Sequence, residues 1–218
     1  MRVGAVVLAA GGSARFAKPK QLAVFRGETF VRRVVAAANE AECVPIVVVV
    51  GRKAAQVTSE LAGLPVSIAV HRRWSNGLGS SIAVGLKHAL EIVANLDAAI
   101  LLTCDQPFVN VAILRQLIQL HLEDGKSIVA SAYAETFGIP ALFGRSCFAD
   151  LLQLRGDMGA KGIILARRND VTPFDFPAAA IDIDTTADYE KLRDGEDRVQ
   201  KECKAKHDNS SVNAPFRV

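Results

Sequence analysis

Short runs of β-branched and small apolar residues recur along the chain, each followed by a longer stretch of helical period, and this alternation constrains the fold most. The run at 46–50, Ile-Val-Val-Val-Val, is apolar at every position. A strand with one wet face alternates in polarity, whereas an unbroken apolar run needs cover on both faces, as crossover helices give a parallel sheet. The same reading predicts strands at 3–10, 66–70, 98–103 and 127–132, with later ones around Ala141 and at 180–184. Helices are predicted at 30–41, 54–62, 80–93, 111–123, 145–154 and 160–168. In the third of these, Ile82, Leu86, Ala89, Leu90 and Val93 recur at three- and four-residue steps, which marks the face that packs on the sheet. The expectation is an α/β fold with a mostly parallel sheet.

The pattern weakens near residue 194. Lys, Glu, Asp, Asn and Ser then dominate until Phe216, so residues 1–193 are expected to form one catalytic domain and 194–218 a polar, flexible tail. At 218 residues, half of them hydrophobic, the chain is long enough to bury a core. A formal net charge of +3 with no block of five or more like charges gives no reason to expect a nucleic-acid partner. The apolar start is too short to span a membrane and runs into glycines and cations, so a cytoplasmic protein with no membrane partner is expected. Cys43, Cys104, Cys147 and Cys203 are scattered without zinc-site spacing, and the first three read as buried, reduced thiols.

The first predicted strand ends in Ala9-Ala10-Gly11-Gly12-Ser13, then delivers Arg15, Lys18 and Lys20. Small residues let a backbone approach a ligand, and successive N–H groups in such a turn make a concave anion site. Arg15 can pair with phosphate bidentately, and Lys20 can act as a point charge aimed by Pro19. Neither GxxxxGK[ST] nor GxGxxG is present, which excludes the two commonest phosphate loops. A solvent-exposed basic turn is the competing reading. Elsewhere, Asp105 follows the strand at 98–103, where open α/β sheets place ligands, and it reads as a metal ligand or as a turn residue before Pro107. Alternation at 181–185 would set Asp182 and Asp184 on one face of a short strand, where they either share a cation or face solvent while Asp184 or Thr185 caps a following helix. Gly79, Ser80 and Ser81 stand at the start of the third helix, as an anion site or, for Ser80, as an ordinary N-cap.

Residues 8–22, which fit LAAGxSxRFxxPKQL, resemble the signature of nucleotidyltransferases related to molybdenum cofactor cytidylyltransferase, the MobA/MocA-like NTP transferases. The resemblance extends to Cys104-Asp105-Gln106-Pro107, to the pattern W-x-x-G-x-G-x-S at 74–81, and to D-I-D-T-x-x-D from Asp182. It implies a single-domain, three-layer α/β/α Rossmann-like nucleotidyltransferase fold. Arg15 and Lys20 would stabilise charge during transfer, while Ala9, Ala10, Gly11, Gly12, Ser13, Gly79, Ser80 and Ser81 bind the nucleotide. Mg2+ would be held by Asp105 with Asp184 or Asp182. Gly138, Pro140 and Lys161 fall in segments that resemble the acceptor side, although a surface lysine is an equal reading of Lys161. The implied substrates are CTP and molybdenum cofactor, with a molybdoenzyme as client. CTP is favoured over GTP by the Ala-Ala-Gly opening, which makes Ala10 the discriminating residue. The sequence departs from the family at Ala17, where glycine is common. A sugar or polyol phosphate acceptor, and a nucleotide-binding chaperone for molybdenum cofactor without chemistry, remain open alternatives.

Overall fold

The computed structural model describes residues 1–11, 16 and 19–195. Its centre is a seven-stranded sheet. The strands are β1 (Val3–Ala9), β4 (Ile46–Val50), β5 (Ser67–Val70), β6 (Ala98–Thr103), β7 (Ile128–Tyr133), β8 (Thr136–Gly144) and β9 (Val171–Asp175), in the order β5-β4-β1-β6-β8-β7-β9. Neighbours are parallel except at β8, which runs antiparallel to both β6 and β7. A separate small hairpin pairs β2 (Val24–Phe25) with β3 (Glu28–Thr29).

The doubly apolar strands are covered on both sides, as their composition requires. Residues Ala5, Val7, Val48, Val50, Ile100 and Leu102 pack toward α1 (Phe30–Glu40) and α4 (Val111–Asp124), in one core. Their sequence neighbours Val6, Leu8, Val47, Val49 and Leu101 face the opposite way, toward α3 (Leu78–Ile92), α5 (Phe148–Gln153) and α6 (Lys161–Ala166). The period of two along each strand thus divides one apolar run between two cores. A further helix, α2 (Ala54–Glu60), lies between β4 and β5. Thr29 caps α1 by accepting from Arg32 N at 3.4 Å, and Asn110 caps α4 by accepting from Ile113 N at 3.2 Å. Such caps are each worth about 1 kcal/mol.

α3 lies close against the sheet because Gly85 has no side chain. A Cβ there would collide with Val6 Cγ1 and stand 2.6 Å from Val49 Cγ2. Overfilling a packed core in this way costs about 1–3 kcal/mol. Close packing here fixes where α3 begins, and its beginning forms one wall of the site. Among the described residues no helix is long and apolar enough to cross a membrane. Cys43, Cys104 and Cys147 are free and buried, and burial raises all three thiols. Cys203 lies outside the described residues.

Two expectations about strands need correction. Residues 181–184 form no strand, because after the 3-10 turn Pro177–Ala180 no neighbouring strand pairs with them along their length. Instead Ile183 N donates to Asp105 O at 3.0 Å, a single backbone bond that joins the two acidic segments. The edge strand beyond β7 is Val171–Asp175, which is not among the expected strands and carries Pro173. That proline is tolerated since β9 is an edge strand, paired only with β7. From 186 to 195 the chain is helical (α7), and the expected tail beyond residue 195 lies outside the described residues.

Candidate active site

The parallel strands β1, β4 and β6 end on one edge of the sheet, and the side chains singled out in the sequence gather there. Lys20 opens a 3-10 turn at Lys20–Leu22 directly after Pro19, whose φ of −55° aims the turn back at the sheet. Its Nζ donates to Asp105 Oδ2 at 2.6 Å and to Asp184 Oδ1 at 3.0 Å. Asp105 follows β6, and Asp184 precedes α7. The lysine and Asp105 side chains are 16% and 20% exposed, whereas Asp184 is 46% exposed, so the cluster opens toward solvent on the Asp184 side. Burial pulls the Lys20 pKa down, but the Asp105 charge and the hydrogen bonds to both carboxylates outweigh it. The net shift is upward, so the ammonium stays charged.

Asp182 stands beside this pair without joining it. Its residue is exposed, yet desolvation by its surroundings, together with the like charges of Asp105 and Asp184, pushes its carboxyl up to about 6. Three carboxylates among the described residues, those of Asp105, Asp182 and Asp184, stand around the Lys20 ammonium. Among the described residues, no three His, Cys, Asp or Glu side chains converge as a metal set made by protein alone. Asp105 and Asp184, held within hydrogen-bond reach of one ammonium, are the two oxygens best placed for a cation. Thr185 fixes the approach to Asp184 by capping α7. Its N and Oγ1 donate to Asp188 Oδ2 at 2.9 and 2.7 Å, and Asp188 N donates back to Thr185 Oγ1 at 3.2 Å. This is a capping box with aspartate in the third position.

Two buried glutamines hold the edge together, and sequence reasoning gave neither of them a role. Gln21 Nε2 donates to Ala9 O at 3.0 Å and Gly11 O at 2.9 Å, fastening the end of β1 to the turn that carries Lys20. Gln106 Nε2 donates to Ile139 O at 2.8 Å and Ala179 O at 3.0 Å, and Thr103 Oγ1 donates to its Oε1 at 3.3 Å. It therefore ties the Asp105 loop to β8 and to the segment leading to Asp182. Their positions inside two family-like motifs, beside Lys20 and Asp105, were the only sequence signal.

A pocket of about 360 Å³ opens beside Lys20 and Asp105. Ala10, Gly11 and Gln21 line one side, and Trp74, Gly77, Leu78, Ser81 and Asp157 the other. The second wall is built on glycines. Gly77 has φ +92° and begins α3, and a Cβ on it would overlap the backbone of Gly156; one on Gly79 would meet Met158 O and stand 3.1 Å from Arg155 N. Gly79 N donates to Gly156 O at 2.9 Å. The segment around Gly156, grouped in sequence with the acceptor side, thus forms part of this wall. Lys161 sits exposed at the first residue of α6.

Ser80 is not the N-cap that its position predicts. α3 starts two residues earlier, with Gly77 as the cap, and Ser80 Oγ donates to Gly77 O at 2.8 Å while facing His71 Nε2 at 2.9 Å. The buried Ser81 is the hydroxyl that lines the pocket. Ala9 and Ala10 are buried at the end of β1, and Gly138 and Pro140 lie in β8 on the far side of β6. Gly12, Ser13, Arg15, Ala17 and Lys18 lie outside the described residues.

Known proteins resemble this chain in sequence and in fold. A family model described as the MobA-like NTP transferase domain matches residues 5–171. The bifunctional protein GlmU of Streptomyces avermitilis is 37% identical over 127 residues, which cover 56% of this chain and 26% of GlmU; the match spans about a quarter of that relative. The purine catabolism protein PucB of Bacillus subtilis is 27% identical over 200 residues, covering 86% of this chain and 94% of PucB. The structure of Rv0371c from Mycobacterium tuberculosis H37Rv in complex with manganese superposes with a TM-score of 0.67 at 28% identity, covering 88% of this chain and 97% of that one. With its strand order, its pocket at the carboxyl edge and a family match over most of its length, the chain belongs to the MobA-like NTP transferase domain family.

Proposed function

We propose that this chain is a magnesium-dependent cytidylyltransferase that transfers CMP from CTP to the phosphate of molybdenum cofactor and releases pyrophosphate. The observation that carries this reading is the charged Lys20, gripped by Asp105 and Asp184 at the mouth of a glycine-walled pocket. Phosphoryl-type transfer needs positioning and charge neutralisation rather than a covalent enzyme nucleophile, and this cluster supplies both.

In the reaction, an oxygen of the acceptor phosphate attacks the α-phosphorus of CTP. The new P–O bond forms in line as the bond from the α-phosphorus to the α,β-bridging oxygen breaks, and the electron pair leaves with pyrophosphate. Residues 9–13 and the wall at 77–81 bind the nucleotide. Lys20, together with Arg15, neutralises charge on the α-phosphate and on the departing pyrophosphate. Gln21 holds the end of β1 beside the lysine. Gly138, Pro140 and Lys161 belong to the acceptor side.

Asp105 and Asp184 suit a small hard cation, because magnesium takes one or two carboxylates and leaves its remaining positions to phosphate oxygens and water. Asp182 is the alternative second ligand. When bound, the ion supplies Lewis-acid neutralisation of the triphosphate charge. Manganese in the mycobacterial relative supports a divalent ion in this family. The choice of CTP rests on Ala10 at the discriminating position, and the acceptor on the family resemblance.

Pyrophosphate release by the purified protein tests the reading. CTP and magnesium with molybdenum cofactor should give steady release, and GTP should give little. Release with glucose 1-phosphate alone would overturn the acceptor assignment. Binding of CTP and cofactor with no release would make the protein a carrier rather than a transferase.

A further inference from the structure

The turn at Gly156-Asp157 is pinned against the start of α3, and it brings a carboxylate to the wall of the pocket beside Lys20. Gly79 N donates to Gly156 O at 2.9 Å, and Gly156 takes up a φ of +60°. A Cβ on Gly77 would stand 2.5 Å from Asp157 Oδ1, so the carboxylate lies directly against the residue that caps the helix. Among the described residues that line this pocket, three carry charge: Lys20 and Asp105 at the cluster, and Asp157 on the wall that Gly77 shares.

A carboxylate repels a triphosphate unless a cation lies between them, and the residues suited to a cation, Asp105 and Asp184, are gathered at Lys20. Asp157 is therefore suited to the uncharged part of a nucleotide, where the hydrogen-bond donors are ribose hydroxyls and the amino group of a base. The rest of the wall favours the base. Trp74 and Leu78 line it, and Leu78 stays 41% exposed, an apolar surface that suits the flat face of a ring and has no use for hydroxyls. A polar side chain on the same wall then meets the edge of that ring. Cytosine carries an amino group on its edge where uracil carries a carbonyl oxygen. A carboxylate accepts from the first and repels the second.

We infer that Asp157 is a base-specificity residue: its carboxylate accepts from the exocyclic amino group of the bound nucleobase, admitting cytosine and rejecting uracil. This inference deepens the transferase reading above and rests on it for the class of ligand, a nucleoside triphosphate. It is a different discrimination from the one at Ala10, which concerns CTP against GTP, because guanine also bears an amino group.

The test is Asp157→Asn in the full chain, which keeps the shape of the side chain and exchanges one acceptor oxygen for a donor. The Kd values of CTP and UTP, each with magnesium, are measured for both proteins, beside pyrophosphate release with molybdenum cofactor. The wild type should prefer CTP over UTP by roughly tenfold or more, the usual worth of a hydrogen bond to a charged group. In the variant that ratio should fall by roughly tenfold, with UTP bound more tightly than by the wild type, since the amide can donate to the uracil carbonyl. No preference in the wild type, or an unchanged ratio in the variant, overturns the inference. Equal losses for CTP and UTP overturn it too and assign Asp157 to the ribose, which the two share. Selective binding of CTP without pyrophosphate release defeats the transferase reading, while Asp157 is judged by the same ratio. Where the wild type binds GTP instead of either pyrimidine, the choice of CTP fails, and GTP against inosine triphosphate, which lacks the amino group, supplies the ratio. A wild type that binds none of these nucleotides contradicts both.

Discussion

The two sides of the sheet edge are held by the same residue type and yet differ in how completely they are built. On the side proposed for the nucleotide, Gln21 fastens the end of β1 to the Lys20 turn, and the opposite wall is locked by the close approach of Gly77 and Gly79 to residues 155–158. On the side proposed for the acceptor, Gln106 fastens the Asp105 loop to β8 and to residue 179, and Asp182 beyond it is exposed. A nucleoside triphosphate has nearly the same shape for every such transferase, which would suit a close-packed wall such as the one at Gly77 and Gly79.

Substitutions test that division. Lys20→Ala removes the ammonium from between two carboxylates and should lower kcat by about 10²–10³, the usual cost of losing a charge-stabilising donor, with modest change in either KM. Steady-state pyrophosphate release measures it, and near-normal turnover at saturating CTP would remove Lys20 from the chemistry. Asp105→Asn should lower kcat by about tenfold or more and raise the magnesium concentration for half-maximal rate. An unchanged magnesium dependence would move the metal elsewhere.

The glutamines sharpen the comparison with smaller effects. Gln21→Leu should raise the KM for CTP several-fold and leave that for the acceptor alone, whereas Gln106→Leu should do the reverse. Each change leaves two backbone carbonyls without their buried donor, a loss of about 1–3 kcal/mol that thermal unfolding would register. If both variants shift both KM values equally, the site is one unit and the division into sides is wrong.

Much of the nucleotide side is legible in the sequence because its signals are local. The unbroken apolar runs require cover on two faces, and the small residues after β1 together with Lys20 lie within a dozen positions. The carboxylate cluster and the Gln106 ties depend on contacts between distant residues. Asp184 meets Lys20 across 164 positions, and Gln106 reaches residue 179 across 73. Local pattern carries no record of either. Alternating Ile and Asp at 181–184 imitates a strand, yet the segment has only the one bond from Ile183 to Asp105. Pro173 disguises a real strand, since the cost of a missing N–H disappears at an edge. Ser80 looks like a cap because hydroxyls favour helix starts, but the close packing of Gly77 and Gly79 moves the start to Leu78.

Co-crystallisation with CTP and manganese, located by its anomalous scattering, tests the central claim most directly. The account predicts one ion between Asp105 and Asp184, with the α-phosphate against Lys20 and the cytidine along the wall at 77–81. An ion bound away from both aspartates, or a triphosphate lying clear of Lys20, would contradict it.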